Sequence, residues 1–251
     1  MKSFIHSLKA LFRSFTLYQI LYLSTVVVIV TLFAVFFPDL MLEDTSNAFV
    51  LVCSVIAVLA NPVCELLISK QSNLNFFVDI LFIEIPEFFI CLANGWYAVA
   101  TVTLLFWIPI DIMSIARWLC HKDEKREELT VVRRLSPKQD ILILLAILAF
   151  GFGAGALYSL IPGAADSYLD AFAATFGMAN GILLLLRYNE QWYAWFITLI
   201  FYVALYVTGG AYIMLVTVAA MLVNTCYGYV KWLKYAKERE KEQAEAAAGS
   251  E

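Results

Sequence analysis

Runs of roughly twenty apolar residues, separated by short polar stretches, recur along this chain. A run of that length crosses a hydrocarbon core of ~30 Å at ~1.5 Å per residue. Backbone amides surrounded by lipid must be paired within their own segment, so each run is expected to be a helix. The pattern predicts helices at about 18–37, 46–68, 75–93, 97–118, 140–161, 167–187, 192–208 and 211–233. The third departs from the rest, because Asp79, Glu84, Pro86 and Glu87 interrupt it. The expected fold class is an all-α integral membrane protein of eight transmembrane helices.

Composition agrees: 62% of the 251 residues are hydrophobic and 15% charged, against about half and about a quarter in soluble domains. The segment before the first run carries Lys2, Lys9 and Arg13, as a signal peptide would. The run nevertheless continues for a full span, with no A-x-A-like site before the following acids, so a retained helix is expected.

Charge tests the helix map independently. Seven loops and two tails alternate sides, and all 17 Lys and Arg fall on one of them. They are Lys2, Lys9 and Arg13; Lys70; Arg117, Lys122, Lys125, Arg126, Arg133, Arg134 and Lys138; Arg187; and Lys231, Lys234, Lys237, Arg239 and Lys241. The opposite side holds Asp39, Glu43, Asp44 and Asp166, with Asp170 close by. The positive-inside rule makes the basic side, with both termini, cytoplasmic.

The expected divisions are an N-terminal segment and extra helix (1–44), a three-helix unit (45–119), a loop and linker helix (120–162), a second three-helix unit (163–234) and a cytoplasmic tail (235–251). The tail is expected to extend the last helix and then fray. A weak repeat relates Gly95 to Gly209, Val102 to Val216, Thr103 to Thr217, Trp118 to Trp232 and Leu119 to Leu233. An even number of crossings separates the two units, so they run parallel, and one linker helix must restore direction. That gives a 3+1+3 parallel-repeat plan plus one added N-terminal helix.

Candidate chemistry gathers on the last two helices. At about 100° per residue, Trp192, Trp195, Tyr202 and Tyr206 fall within an arc of about 80°. Such a face suits a flat or cationic solute, although Trp and Tyr also collect at membrane interfaces. Thr217, Met221, Asn224 and Gly228 form a stripe on the last helix, with Tyr227 at its margin. An unpaired Asn224 amide in the apolar layer would cost a few kcal/mol. It must meet another helix or a ligand, and the neighbouring rings favour a ligand. Asp79, Glu84, Glu87 and Asp111 sit at membrane depth, where carboxylates attract cations, relay protons or line water. Gly151-x-x-x-Gly155 and Gly177-x-x-x-Gly181 permit close helix packing, as for a linker wedged between two units.

The chain has no phosphate-binding loop, no HExxH, no GxSxG and no Cys/His cluster at metal spacing. No catalytic residue, metal or cofactor is expected. Cys53, Cys64, Cys91, Cys120 and Cys226 lie in or beside apolar runs, which argues against disulfides.

Arg187-Tyr188-Asn189-Glu190-Gln191-Trp192-Tyr193-Ala194-Trp195 and Asn224-Thr225-Cys226-Tyr227-Gly228-Tyr229-Val230-Lys231-Trp232 resemble the C-terminal half of PnuC-type nicotinamide riboside transporters. Lys70-Gln71-Ser72-Asn73 resembles the family's corresponding start in the first repeat, with Asn73 standing where Gln191 stands in the second. The likeness spans about 45–235. It implies a SWEET-like fold, a homotrimer in a bacterial inner membrane, and facilitated passage of nicotinamide riboside. A cytoplasmic riboside kinase would then trap the vitamin; no nucleic acid is involved. The family pattern assigns Trp192, Trp195, Asn224 and Tyr227 to the substrate, with Gln191 and Asn73 as polar partners; the residue pattern adds Tyr202 and Thr217. Ile110 stands opposite Asn224 and Met113 opposite Tyr227, so the site is expected to be asymmetric. Other vitamins such as thiamine or riboflavin, an ion-coupled symporter of the same fold, and a membrane enzyme or receptor are the competing readings.

Overall fold

The structure, a computed structural model, describes residues 15–36, 48–121 and 130–248. Lys2, Lys9, Arg13, Asp39, Glu43, Asp44, Lys122, Lys125 and Arg126 lie outside the described residues. The helices are α1 (Leu17–Phe36), α2 (Ala48–Ser69), α3 (residues 75–93), α4 (Tyr97–Leu119), α5 (Pro137–Tyr158), α6 (Ser167–Leu185), α7 (Gln191–Thr208) and α8 (Tyr212–Ala248). Among the described residues there is no strand, only an isolated bridge between Arg133 and Tyr188. Among the described residues six helices (α2 and α4 to α8) are long and apolar enough to cross a membrane. Val52, Leu105, Phe150, Ile182, Ile200 and Val230, one on each of them, stand exposed, a surface that suits lipid and not water.

Prolines shape three of these helices. Proline lacks an N–H and clashes with the carbonyl four residues earlier. Pro86 and Pro109 each follow a π-helical turn, Ile80–Glu84 in α3 and Thr103–Trp107 in α4, which widens the ladder where the ring must fit. Pro62 lies inside α2. It leaves the Val58 carbonyl without its helical donor, and the Thr217 hydroxyl on α8 donates to that carbonyl at 3.3 Å.

The glycine pairs serve close packing. A Cβ on Gly151 would sit 2.5 Å from the Phe172 ring, and one on Gly155 would sit 2.4 Å from Tyr168. Both rings belong to α6, so α5 packs along α6. The remainder of α5 faces outward, and only Ile147, Gly151 and Gly155 of it are buried. The close packing expected of Gly151 and Gly155 is thus a contact of α5 with α6. Gly181 of α6 in turn receives Trp107 of α4, 2.8 Å from where its Cβ would be.

Two tryptophans tie the halves reciprocally. Trp118, at the end of α4, donates its indole N–H to the Leu184 carbonyl of α6 at 3.1 Å. Trp232 of α8 donates to the Ile68 carbonyl of α2 at 3.2 Å. Each is a second donor to a carbonyl in the last turn of a helix, beside the Arg187 N–H at 3.0 Å on Leu184 and the Gln71 N–H at 2.8 Å on Ile68. Gln71 and Arg187, just past those two helix ends, both adopt positive φ, at 57° and 64°. The segment 130–136 straps this face: Arg133 N–H donates to the Arg187 carbonyl at 2.7 Å, and Asn189 N–H to the Arg133 carbonyl at 2.9 Å.

The last helix extends as expected past Lys234 to Ala248. Exposed pairs Lys234–Glu238 (3.9 Å) and Lys241–Glu245 (3.7 Å) run along it, each worth only a few tenths of a kcal/mol.

Asp170 is buried on α6 and caps a different helix. Its carboxylate accepts from the Ala98 and Val99 N–H groups in the first turn of α4, at 2.7 and 2.9 Å. Asp170→Ala would strand both donors and is expected to destabilise the protein by about 1–2 kcal/mol. A lowered unfolding midpoint in detergent checks this; an unchanged midpoint contradicts it.

Candidate solute-binding cavity

Between α2, α3, α4, α6, α7 and α8 lies a partly enclosed cavity of about 50 Å³. Its walls include Asn61 and Glu65 from α2, Asp79, Glu84 and Glu87 from α3, Trp107 from α4 and Asn180 from α6. Trp195, Tyr202 and Tyr206 come from α7, and Met214, Thr217 and Met221 from α8. Among the described residues no Lys or Arg lines it. The volume suits a water or two, so a nucleoside-sized guest requires the walls to part.

Glu65 borders the cavity from α2. Its Oε2 accepts from Asn224 Nδ2 at 3.1 Å across the α2–α8 contact. The Trp195 indole N–H faces the same carboxylate without closing a bond of good geometry. Asn224 is fully buried, and its Oδ1 has no partner. The amide thus meets another helix, with one acceptor left over. Tyr202 and Tyr206 stack at 5.4 Å and 3°. Trp195 meets Tyr202 edge-on at 6.3 Å and 83°. At the α3 side, one carboxylate oxygen each from Asp79, Glu84 and Asp111 lies within 4.8 Å of the others, a spacing that a cation or shared protons would satisfy.

The expected site residues therefore divide. Trp195, Tyr202 and Thr217 line the cavity. Asn224 touches its wall through Glu65. Gln191 stands one layer behind, its Oε1 accepting from Asn180 Nδ2 at 2.7 Å. Trp192 lies among other tryptophans, edge-on to Trp232 at 5.6 Å. Tyr227 stacks on Tyr18 of α1 at 4.4 Å, and Asn73 donates to the Ile115 carbonyl at 3.3 Å; neither borders the cavity. Sequence reasoning missed Glu65, Asn61 and Asn180. Glu65 carried the same signal as the carboxylates of α3, an acid within an unbroken apolar run.

A larger crevice of about 820 Å³ runs between α1 and α8, walled by residues such as Tyr22, Val26, Phe33, Leu215 and Val223. Among the described residues no carboxylate or amide side chain lines it.

A model of the family described as Nicotinamide mononucleotide transporter matches residues 51–234. The Nicotinamide riboside transporter PnuC of Haemophilus influenzae is 23% identical over 185 residues, 73% of this chain and 80% of that protein. The protein of that name from Neisseria mucosa is 22% identical over 192 residues, 72% of each chain. The crystal structure of the vitamin B3 transporter PnuC superposes with a TM-score of 0.72 at 19% identity, covering 90% of this chain and 94% of that one. The shared backbone path identifies the fold.

Proposed function

This chain belongs to the nicotinamide mononucleotide transporter family, and from that premise we propose that it is a membrane transporter for nicotinamide riboside. It is a transporter and not an enzyme. The observation that carries the substrate is the make-up of the cavity: carboxylic acids and aromatic rings in one space, with no basic residue among the described ones. Nicotinamide riboside presents a flat pyridinium cation, a carboxamide and ribose hydroxyls. Ring faces attract the cation by ~0.5–2 kcal/mol each, and a buried carboxylate such as Glu65 neutralises it. Asn61 and Asn180 suit the carboxamide or the hydroxyls. We assign substrate contact to Trp195, Tyr202 and Thr217, with Glu65 as counter-charge. Asn224 positions that carboxylate, and Gln191 positions Asn180. Trp192, Tyr227 and Asn73 support the surrounding helices.

The phosphorylated mononucleotide is a different cargo. Its phosphate would need Lys or Arg in the cavity wall, and among the described residues the wall has neither. The relatives whose names specify the riboside agree with that chemistry.

The wider plan is eight crossings, with α2–α4 and α6–α8 as parallel SWEET-like units, α5 as linker and α1 added. The reciprocal Trp118 and Trp232 bonds support it. Arg117, Arg133, Arg187 and Lys231 mark the face we place in the cytoplasm. Passage is facilitated, in a homotrimer of a bacterial inner membrane, and phosphorylation by a cytoplasmic kinase retains the vitamin.

Binding of radiolabelled nicotinamide riboside to the purified protein tests the substrate. Thiamine, riboflavin and the mononucleotide are expected to compete poorly; equal competition by any of them overturns the assignment. Trp195→Ala is expected to weaken riboside binding about tenfold, the lower range for loss of one stacking partner. Unchanged affinity in that variant removes the aromatic cage.

A further inference from the structure

Three arginines converge on the basic face, and none of the three lines the cavity. Arg117 stands in the last turn of α4, one residue before Trp118, whose ring lies 6.0 Å from that of Trp232 on α8. Arg239 is two helical turns beyond Trp232 on the same helix. Arg187 follows α6, three residues past the Leu184 carbonyl that Trp118 binds at 3.1 Å. The reciprocal tryptophan contact therefore brings three chain segments, each bearing a guanidinium, to one place. Arg133 joins them from the strap, its guanidinium 4.8 Å over the Tyr188 ring.

The guanidinium groups are not fully used. Arg187 is 5% exposed. Its Nη1 donates to the Val131 carbonyl at 3.2 Å, yet its buried Nε has no partner. Arg117 Nε and Arg239 Nη1 are likewise buried and unpartnered. Among the described residues no carboxylate pairs with any of the three. Burial, then the charges of Arg117, Arg133 and Arg239, hold the Arg187 guanidinium below the ordinary arginine range. Buried N–H donors and unneutralised like charges both cost free energy. A tetrahedral oxyanion relieves both at once, since a guanidinium presents paired donors that match phosphate geometry.

We propose that Arg117, Arg187 and Arg239 form a phosphate-binding site on the basic face of the bundle. It links the end of α4, the α6–α7 turn and the extension of α8, so occupancy fastens the two halves at the face where the strap crosses. The inference depends on the membrane reading of the fold and not on the identity of the transported solute. The phosphate belongs either to an anionic lipid headgroup or to a soluble phosphate.

The test uses the full chain, delipidated in neutral detergent. In one arm, inorganic phosphate is titrated against the unfolding midpoint, with sodium chloride at matched ionic strength as control. In the other, native mass spectrometry counts retained phosphatidylglycerol against phosphatidylcholine. Raised stability with phosphate alone identifies a soluble source; selective retention of phosphatidylglycerol identifies the headgroup. The pair Arg117→Gln and Arg239→Gln spares the structural bond from Arg187 to Val131. It is expected to weaken whichever binding is seen at least about tenfold. Arg239→Lys keeps charge and helix, loses the planar fork, and should weaken it several-fold, which guards against a double variant that fails to fold. No effect of either probe on the native chain, or equal binding in the native chain and the variants, overturns the site.

Discussion

Glu65→Gln is expected to weaken nicotinamide riboside binding about a hundredfold while leaving the fold intact. Losing one partner of a buried charge pair costs ~2–5 kcal/mol, and about 2.7 kcal/mol corresponds to a factor of a hundred. Glu65 sits in α2, 3% exposed, and borders the cavity that Trp195 and Tyr202 line. Glutamine has the same length and keeps an oxygen for the Asn224 Nδ2 donor now at 3.1 Å. The variant therefore removes charge with little change in shape. Glu65→Gln should also bind the riboside no better than a neutral analogue of similar outline, since the counter-charge is what separates the two. Equilibrium binding with both compounds reads this directly. Riboside affinity within threefold of the native value would rule Glu65 out as counter-charge and return the role to the carboxylates of α3.

Gly228→Val is expected to destabilise the protein by about 3 kcal/mol, the upper part of the range for overpacking a core. A Cβ at Gly228 would lie 2.4 Å from two atoms of the Trp192 ring. That ring is 1% exposed and meets Trp232 edge-on at 5.6 Å, so it has no room to retreat. The contact joins α7 to α8. Forcing it apart also shifts Trp195, one turn along α7, so riboside affinity should fall together with the unfolding midpoint. Gly153→Val on α5 is the control, because a Cβ there meets nothing within 4 Å. Equal midpoints for the two variants would show that the Gly228 contact does not govern the packing of α7 on α8.

Part of the candidate site could be read from residue type and depth. Trp195 and Tyr202 occupied the inner part of an aromatic arc, and both border the cavity. Trp192 shared that arc, and its neighbour on the wheel does not share its surroundings. It faces the Trp118 and Trp232 side of the bundle, because the direction of one helix face changes from neighbour to neighbour along its length. Tyr227 illustrates a second limit. Its ring is taken by Tyr18 of α1, a helix that the family match, beginning at residue 51, does not include. Asn224 marks a third. The cost of an unpaired amide required a partner, and periodicity gave no means of choosing between a ligand and the carboxylate of Glu65, 159 residues away in sequence.

The sequence by itself determined the helices, their apolar surfaces and the placement of Lys and Arg outside the apolar runs or at their ends. These follow from local chemistry: run length against bilayer thickness, backbone amides that lipid cannot satisfy, and the cost of bringing a charge into it. Only the tertiary structure decided which buried polar groups face each other. Glu65 with Asn224, Thr217 with the carbonyl freed by Pro62, Asp170 with the first turn of α4, and Trp118 with the Leu184 carbonyl are all pairings between distant segments. They depend on the rotation of each helix about its axis and on ring-into-glycine contacts that set how closely neighbours approach, and neither is encoded in the periodicity of a single helix.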